Sequence, residues 1–445
     1  MPRAGRAVAP GIPHHLTQRG DRRENAFSAV SNARNEKPAL DNFRQDLRFV
    51  FRLLLRHPGF VAIAVLTLAL AIGANTAIFS IVEGVLLRPL PYPEPGRLVR
   101  LYENSPQRNV EYGALSPQDF DDWQAQSQSC AQMADYFYYE INVTGGGEPE
   151  AVTATYVSPG FFETFGRGPS PGRTFLPEES KPGADRVAVL SDGFWKRRFG
   201  GNPAILGQTI TLDNRQFVIA GIMPAGFNYP SPKTSLWLPL SLIGDDAVPH
   251  RRGVGWLSAV ARLAPGTTLG QAQSEMGTIA ARLATQYPET NAEWGRSIVA
   301  PLEDRIVGEV RPALYLLLAA AVFVLLIGCA NVANLLLERA ESRRKEIAVR
   351  IAIGASRARI LQQLLTESTL LSILGGALGL LTAFWSLCAV VKLFANHLPR
   401  NGEIRLDAGT LAFTFLISLA TGLIFGVAPA HRATRVDPME ALRYE

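Results

Sequence analysis

The distribution of apolar residues divides this chain before any single motif does. Four stretches carry no charged residue: Phe60 to Val82 (23 residues), Ala313 to Leu337 (25), Ser368 to Val391 (24) and Ala408 to Ala430 (23). Each exceeds the roughly 20 residues that a helix needs to cross about 30 Å of hydrocarbon. The pattern therefore predicts four transmembrane helices. Ahead of the first, Phe43, Leu47, Val50, Leu54 and Leu55 recur at helical spacing with arginines between them. That spacing predicts an amphipathic basic helix on the membrane surface, broken at Pro58.

The 225 residues of 88–312, between the first two runs, show shorter periods and many turn signals. Arg97 to Tyr102, Ala151 to Val157, Val187 to Leu190 and Trp256 to Leu263 read as strands. Thr209 to Leu212 and Gln216 to Ile222 flank Asp213 and Asn214, a hairpin turn pair. Helix starts are expected at Ser116 and Ser158, each a hydroxyl before a proline, and at Ser191 ahead of a short helix stopped by Gly200 and Gly201. Thr268 and Gln271 form a capping box for a helix whose buried face is expected to hold Leu269, Ala272, Met276, Ile279, Ala280 and Leu283. The segment reads as a folded α+β domain. The Pro-rich run 89 to 95 is a stiff entry into it.

Charge sets the orientation. Residues 1–58 hold 11 Lys or Arg against 5 acids, residues 88–312 hold 20 against 24, and residues 338–360 hold 7 against 3. Basic segments alternate with an acidic one, so by the positive-inside rule both termini and the 338–367 loop are cytoplasmic and the α+β domain lies outside. The whole-chain excess of +5 thus reflects membrane topology, and no nucleic-acid partner is expected. Of three cysteines, Cys329 and Cys388 fall in apolar runs and Cys130 is alone in the domain, which leaves no disulfide to staple it. The first run is too long for a cleavable signal core and should act as an uncleaved anchor.

Enzyme chemistry finds no foothold. The 445 residues contain no HExxH, GxSxG, paired CxxC or Walker A sequence. The adjacent His14 and His15 lack a third ligand nearby. Neighbouring acids such as Asp121 with Asp122, or Glu178 with Glu179, and the basic cluster Lys196 to Arg198, read as solvated faces. No catalytic, cofactor or metal residues are expected.

Several stretches carry a resemblance. KEIAVRIAIGASRARI, within 338–367, resembles the loop after the second span in MacB-like and FtsX-like ABC transporter permeases. GANTAIFSIVEGVLLRPLPYPEPGRLVRLYE at the end of the first span resembles the acidobacterial duplicated orphan permeases of that group. YVSPGFFETFG, VAVLSDGFWKRRFGG and ILGQTITLDNRQFVIAGIMPAGF resemble the MacB-type periplasmic core domain. Residues 1–27 differ in style and resemble the start of IS200-type transposases, without their catalytic residues. The duplicated permeases repeat the four-span arrangement, which occurs once here.

The fold expected is an integral membrane α-helical protein of four transmembrane helices with a large α+β extracytoplasmic domain between helices 1 and 2. Its parts are a tail (1–40), the amphipathic helix (41–58), span one (59–87), the periplasmic core domain (88–312), span two (313–337), the cytoplasmic coupling loop (338–367), span three (368–395), a short outer loop (396–407), span four (408–430) and a cytoplasmic tail (431–445). The resemblance implies a permease subunit in a bacterial inner membrane. It would transmit ATP-driven motion from a separate ABC ATPase subunit, which binds the ATP, to the periplasmic domain for efflux or export. Glu346, Arg350, Gly354 and Arg357 are the expected ATPase contact, with Gly354 ending the coupling helix. A homodimer or a second permease unit, membrane lipids and a periplasmic adaptor are the other expected partners. Gly375 with Gly379, and Gly422 with Gly426, have the small-xxx-small spacing of close helix packing, and Asn331 with Asn334 are expected to hydrogen-bond across helices. The alternative is a nonfunctional or sensor-like remnant of a duplicated permease gene.

Overall fold

A computed structural model describes residues 58–434, apart from 145–146, 182, 185, 244–250, 343–348, 350–355, 394–403 and 405. The expected tail, the amphipathic helix before Pro58 and the last eleven residues lie outside the described residues. Helix α1 (Pro58–Val82) continues into a π-helical turn, Glu83–Leu87. The next elements are β1 (Leu98–Ser105), β2 (Val110–Gly113), α2 (Pro117–Gln126), β3 (Cys130–Thr144), β4 (Glu150–Val157), α3 (Phe161–Phe165), β5 (Val187–Leu190) and α4 (Asp192–Phe199). Then come β6 (Thr209–Leu212), β7 (Arg215–Ile222), β8 (Thr234–Pro239), β9 (Ser258–Leu263), α5 (Leu269–Gln286), α6 (Pro288–Asn291), β10 (Arg296–Pro301) and α7 (Leu302–Val307). Three long helices follow: α8 (Arg311–Ser342), α9 (Arg357–Leu393) and α10 (Ala408–Thr434).

Four of these helices are apolar. Pro58–Leu87, Arg311–Arg339 and Ala358–Leu393 are each long and apolar enough to cross a membrane, and α10 carries a shorter apolar run, Ala408–Ile424, within its 27 residues. An unbroken helix suits such runs because every backbone N–H must find its acceptor within the segment where water is absent. Helix α9 begins at Arg357, well ahead of the charge-free run that starts at Ser368. Hydropathy marks the stretch that hydrocarbon tolerates, and a helix with Arg359, Gln362 and Gln363 on its first turns extends past it.

The α+β domain between α1 and α8 is built on one ten-stranded sheet in the order β10-β1-β9-β3-β4-β8-β5-β7-β6, with β2 paired to β1. Its first four strands are antiparallel neighbours, and α2 and α5 supply the crossovers β1-α2-β3 and β9-α5-β10. This is a split β-α-β arrangement, interrupted between β3 and β9 by an insertion. In the insertion β4, β8, β5, β7 and β6 pair in succession, and the tip of β3 pairs with β6 through Val143↔Leu212. The insertion therefore closes on itself. The 15-residue β3 serves both halves, pairing β9 over Cys130–Tyr136 and β4 over Tyr136–Val143.

Three cores correspond to these layers. Val99, Leu101, Phe120, Trp123, Met276, Ile279 and Leu283 pack the helices α2 and α5 onto the open half of the sheet. Ile141, Val152, Leu190, Phe194, Phe217, Ile219 and Leu236 fill the closed half. The third is aromatic: Tyr92, Tyr136, Phe161, Phe162, Phe165, Phe227, Tyr229 and Trp237 pack with ring centroids 4.7 to 6.2 Å apart. Its polar tips are satisfied, with Tyr136 and Tyr229 hydroxyls 2.8 Å apart and Trp237 Nε1 donating to the Tyr229 carbonyl at 3.1 Å.

Local signals account for most of the element ends. Ser116 accepts from the Asp119 N–H and Ser191 from the Phe194 N–H, and the Thr268–Gln271 capping box is complete in both directions. Asp213 and Asn214 both have positive φ, 43° and 63°, the conformation that a two-residue hairpin with matching twist requires. Two expectations fail. Ser158 caps no helix: Gly160, at φ 84°, precedes α3, and the Ser158 hydroxyl bonds the backbone of Asp135 instead. Leu269, the first residue of α5, is exposed, and the buried face of the helix starts one turn later at Ala272.

Candidate functional site

The segment with the densest basic charge connects α8 to α9. Of its expected contact residues, Glu346, Arg350 and Gly354 lie outside the described residues, and Arg357 opens α9. Arg339 near the end of α8 and Glu367 on α9 form an ion pair, Nη1 to Oε1 3.2 Å, with side-chain exposures of only 10% and 3%. The Arg339 guanidinium also lies 4.5 Å from the centre of the Phe60 ring on α1. In low dielectric a close opposite charge offsets the cost of removing either group from water, and removing one partner strands the other. The pair therefore ties the two ends of the basic segment together and to α1.

Above this pair the four helices meet through small residues and a few polar bonds. A side chain at Gly375 would meet the Cβ of Leu68 at 2.6 Å, and one at Gly379 would meet the Ala69 carbonyl at 3.0 Å and the Gly73 N at 3.1 Å. Glycine at both positions thus lets α9 approach the α1 backbone. A side chain at Gly422 would likewise meet the Thr369 Cα at 2.9 Å, so glycine there serves the approach of α10 to α9. Gly426 lies on α10, with its surroundings outside the described residues. The buried Asn75 of α1 donates to the Ala321 carbonyl of α8 at 2.7 Å, and the Thr76 and Thr414 hydroxyls join α1 to α10 at 3.0 Å. Asn331 and Asn334 do otherwise. Both are exposed on α8, and no hydrogen bond joins either to another helix of the chain among the described residues. The face that α8 turns to α1 holds Leu325, Cys329 and Val332.

In the α+β domain the charged clusters are paired within the domain. Lys196 pairs with Asp192, Arg197 with Glu150 at 2.7 Å, and Glu179 takes both Nη atoms of Arg173 at 2.7 and 2.8 Å. Arg252 bonds Asp119 and, at 2.6 Å, Asp122. Burial, then the neighbouring Asp119 carboxyl, holds the buried Glu103 well above the usual carboxylate range. Burial also pushes Asp135 up to about 7, despite the help of Ser158. Among the described residues no group of His, Cys, Asp and Glu is arranged to hold a metal.

The model for the MacB-like periplasmic core domain matches residues 61–279, and that for the FtsX-like permease C-terminal matches residues 318–438. The chain belongs to the MacB/FtsX-type ABC transporter permease family. This permease is 29% identical over 300 residues to the macrolide export ATP-binding/permease protein MacB of Salmonella typhi, covering 66% of this chain and 44% of that protein. It is 27% identical over 350 residues to the protein of that name from Burkholderia thailandensis, covering 75% and 48%. The chain thus spans about half the length of the curated relatives it matches. Among solved structures, the periplasmic region of MacB from Actinobacillus actinomycetemcomitans matches 53% of this permease and 97% of its own chain at 13% identity, TM-score 0.36. The extracellular domain of the noncanonic ABC-type transporter YknZ from Gram-positive bacteria matches 45% and 98% at 12% identity, TM-score 0.34. The permease is a multi-pass membrane protein with a MacB-like periplasmic-type domain.

The ion pair Arg339–Glu367 was the contact that sequence reasoning missed. Its signal was present: each residue lies just outside a charge-free run, Arg339 after the second and Glu367 before the third. Opposite charges at the facing ends of consecutive, antiparallel spans are placed to meet.

Proposed function

We propose that this chain transmits ATP-driven motion from a separate ABC ATPase subunit to its α+β domain, for efflux or export across a bacterial inner membrane. Both termini and the α8–α9 segment are cytoplasmic in this reading, and the ATPase binds the helix around Glu346, Arg350, Gly354 and Arg357. The observation that carries it is the buried Arg339–Glu367 pair: a push on the basic segment acts at once on α8, on α9 and, through Phe60, on α1. The exposed Asn331 and Asn334 then face a second permease unit, where bonding to each other's amides satisfies them away from water. A periplasmic adaptor and membrane lipids complete the partners proposed.

Co-expression of the full chain with candidate ATPase subunits, followed by purification from membranes, tests this reading. A stable assembly with stimulated ATP hydrolysis is expected, together with loss of that stimulation in Gly354→Val while membrane insertion persists. Stimulation unchanged in Gly354→Val refutes the assigned contact. A folded chain that assembles with none of the ATPases favours a sensor-like remnant.

A further inference from the structure

Among the described residues, the half-buried Arg100 and Arg305 of the α+β domain have no carboxylate partner; the buried Arg262 has none either, but it donates to the Thr164 and Pro93 carbonyls. Arg100 on β1 and Arg305 on α7 face the same tyrosine, with guanidinium carbons 4.8 and 5.3 Å from the centre of the Tyr102 ring. Arg305 Nε donates to the Tyr102 hydroxyl at 3.0 Å. Arg100 Nε is buried without any hydrogen-bond partner. Neither arginine forms an ion pair among the described residues. This contrasts with Arg97, Arg108, Arg173, Arg252 and Arg311 of the same domain, each of which has a carboxylate.

Both unpaired arginines line one cavity of about 250 Å³, whose other walls include Tyr92, Asn228, Ser231 and Ile306 and, among the described residues, no acid. Arg100, Pro230 and Ser231 also line a larger cleft of about 850 Å³ beside it, walled by Tyr136, Tyr138, Lys233 and one acid, Glu140. A guanidinium stays charged at any physiological pH and offers planar, forked donors that match phosphate and carboxylate oxygens. An uncompensated buried cation is costly unless something supplies the opposite charge. The cavity also has a defined place along the chain. Leu90 lines it three residues after the helical run ending at Leu87, so at most about 10 Å of chain separates them.

We infer that Arg100 and Arg305 form a phosphate-binding site close to the point where α1 leaves the membrane. The ligand is a phosphate mono- or diester whose organic part extends along the tyrosines of the larger cleft. Serine and asparagine supply neutral donors, and the apolar Ile306 and Tyr92 receive carbon. A phospholipid head group and a soluble phosphate ester share this chemistry. The inference goes beyond the transmission proposed above and requires no ATPase.

The test uses the full-length chain in nanodiscs. Glycerol 3-phosphate is titrated by calorimetry into protein held in phosphatidylcholine discs, and thermal stability is compared between those discs and discs containing phosphatidylglycerol. Saturable glycerol 3-phosphate binding, weakened at least tenfold in Arg100→Gln and in Arg305→Gln and unchanged in Arg108→Gln, establishes the site with a soluble ligand. Stabilisation by phosphatidylglycerol that both variants abolish, without glycerol 3-phosphate binding, establishes it with a lipid. Arg305 is the more peripheral of the two, so Arg305→Gln carries the test if Arg100→Gln does not fold. Neither probe acting on the wild type, or equal effects in Arg305→Gln and Arg108→Gln, overturns the inference.

Discussion

The α+β domain and the helical part of this permease hold together by different means. In the first, ten strands are joined edge to edge, β3 spans two sub-sheets, and three apolar cores enclose residues as large as Trp123 and Trp237 at about 1% exposure or less. In the second, contact among the described residues is made by an apolar seam that includes Leu68, Ile72, Leu325 and Val332, by glycines against neighbouring helices, by Asn75 and Thr76, and by a buried ion pair. Sheet hydrogen bonds and interlocked aromatics resist deformation, because shifting one strand breaks a whole ladder. Helices that meet through small residues have few bonds to break when they slide. The difference is what the proposed transmission would require, and it predicts where substitutions hurt most.

The sharpest contrast is in the aromatic core. Trp237→Ala should remove about 4 kcal/mol from the α+β domain, read as a lower melting temperature in circular dichroism, with helical content retained. If the whole chain instead melted in one transition with the wild type's midpoint, the separateness of this core would be disproved. A crowding substitution probes the other region. Gly379→Leu should cost about 3 kcal/mol by forcing α9 from the Ala69 carbonyl and Gly73. It should show as lost detergent-resistant folding, with the α+β domain still native by protease digestion.

Acidity gives a graded effect confined to the α+β domain, spread over several pH units. The folded Asp135 titrates at about 7 and the free side chain near 3.8. Above the lower value the unfolded chain gains by ionising while the folded one stays protonated. Stability contributed by the protonated form is therefore complete below about 4 and declines as pH rises toward 7, by roughly 1.4 kcal/mol per pH unit. Asp135→Asn should flatten that decline in urea titrations run between pH 4 and 7. An unaltered slope would assign it to Glu103, which burial and Asp119 raise in the same direction. The smallest effect is expected at a helix end: Thr268→Ala removes the hydroxyl that accepts from Gln271 N and should cost about 1 kcal/mol.

What could be read from the chain follows the range of the interactions. The four apolar runs, the Asp213–Asn214 turn and the caps at Ser116, Ser191 and Thr268 depend on neighbours within a few residues, and each has a local chemical signature. The cap expected at Ser158 failed because its hydroxyl has a better use 23 residues away, at Asp135. The closure of β3 onto β6 was not legible, since Val143 and Leu212 carry nothing that names one another. Nor was the Arg100–Arg305 pair, which lies 205 positions apart in sequence and becomes visible only where β1 and α7 meet at Tyr102. Within the candidate coupling segment, the basic composition was plain from residues 338–360, whereas the tie between its stems needed the fold.

The central claim is that ATP hydrolysis elsewhere moves the α+β domain through these helices. Its direct test is the distance between spin labels on two copies of the chain, attached at the exposed position 138 after the native Cys130, Cys329 and Cys388 are replaced. Double electron-electron resonance is recorded on the assembly with its ATPase subunits, with and without a trapped ATP state. The account predicts a shifted distance distribution on trapping, absent in Gly354→Val. An unchanged distribution in the wild type, in samples whose ATP hydrolysis is stimulated by the permease, would contradict it.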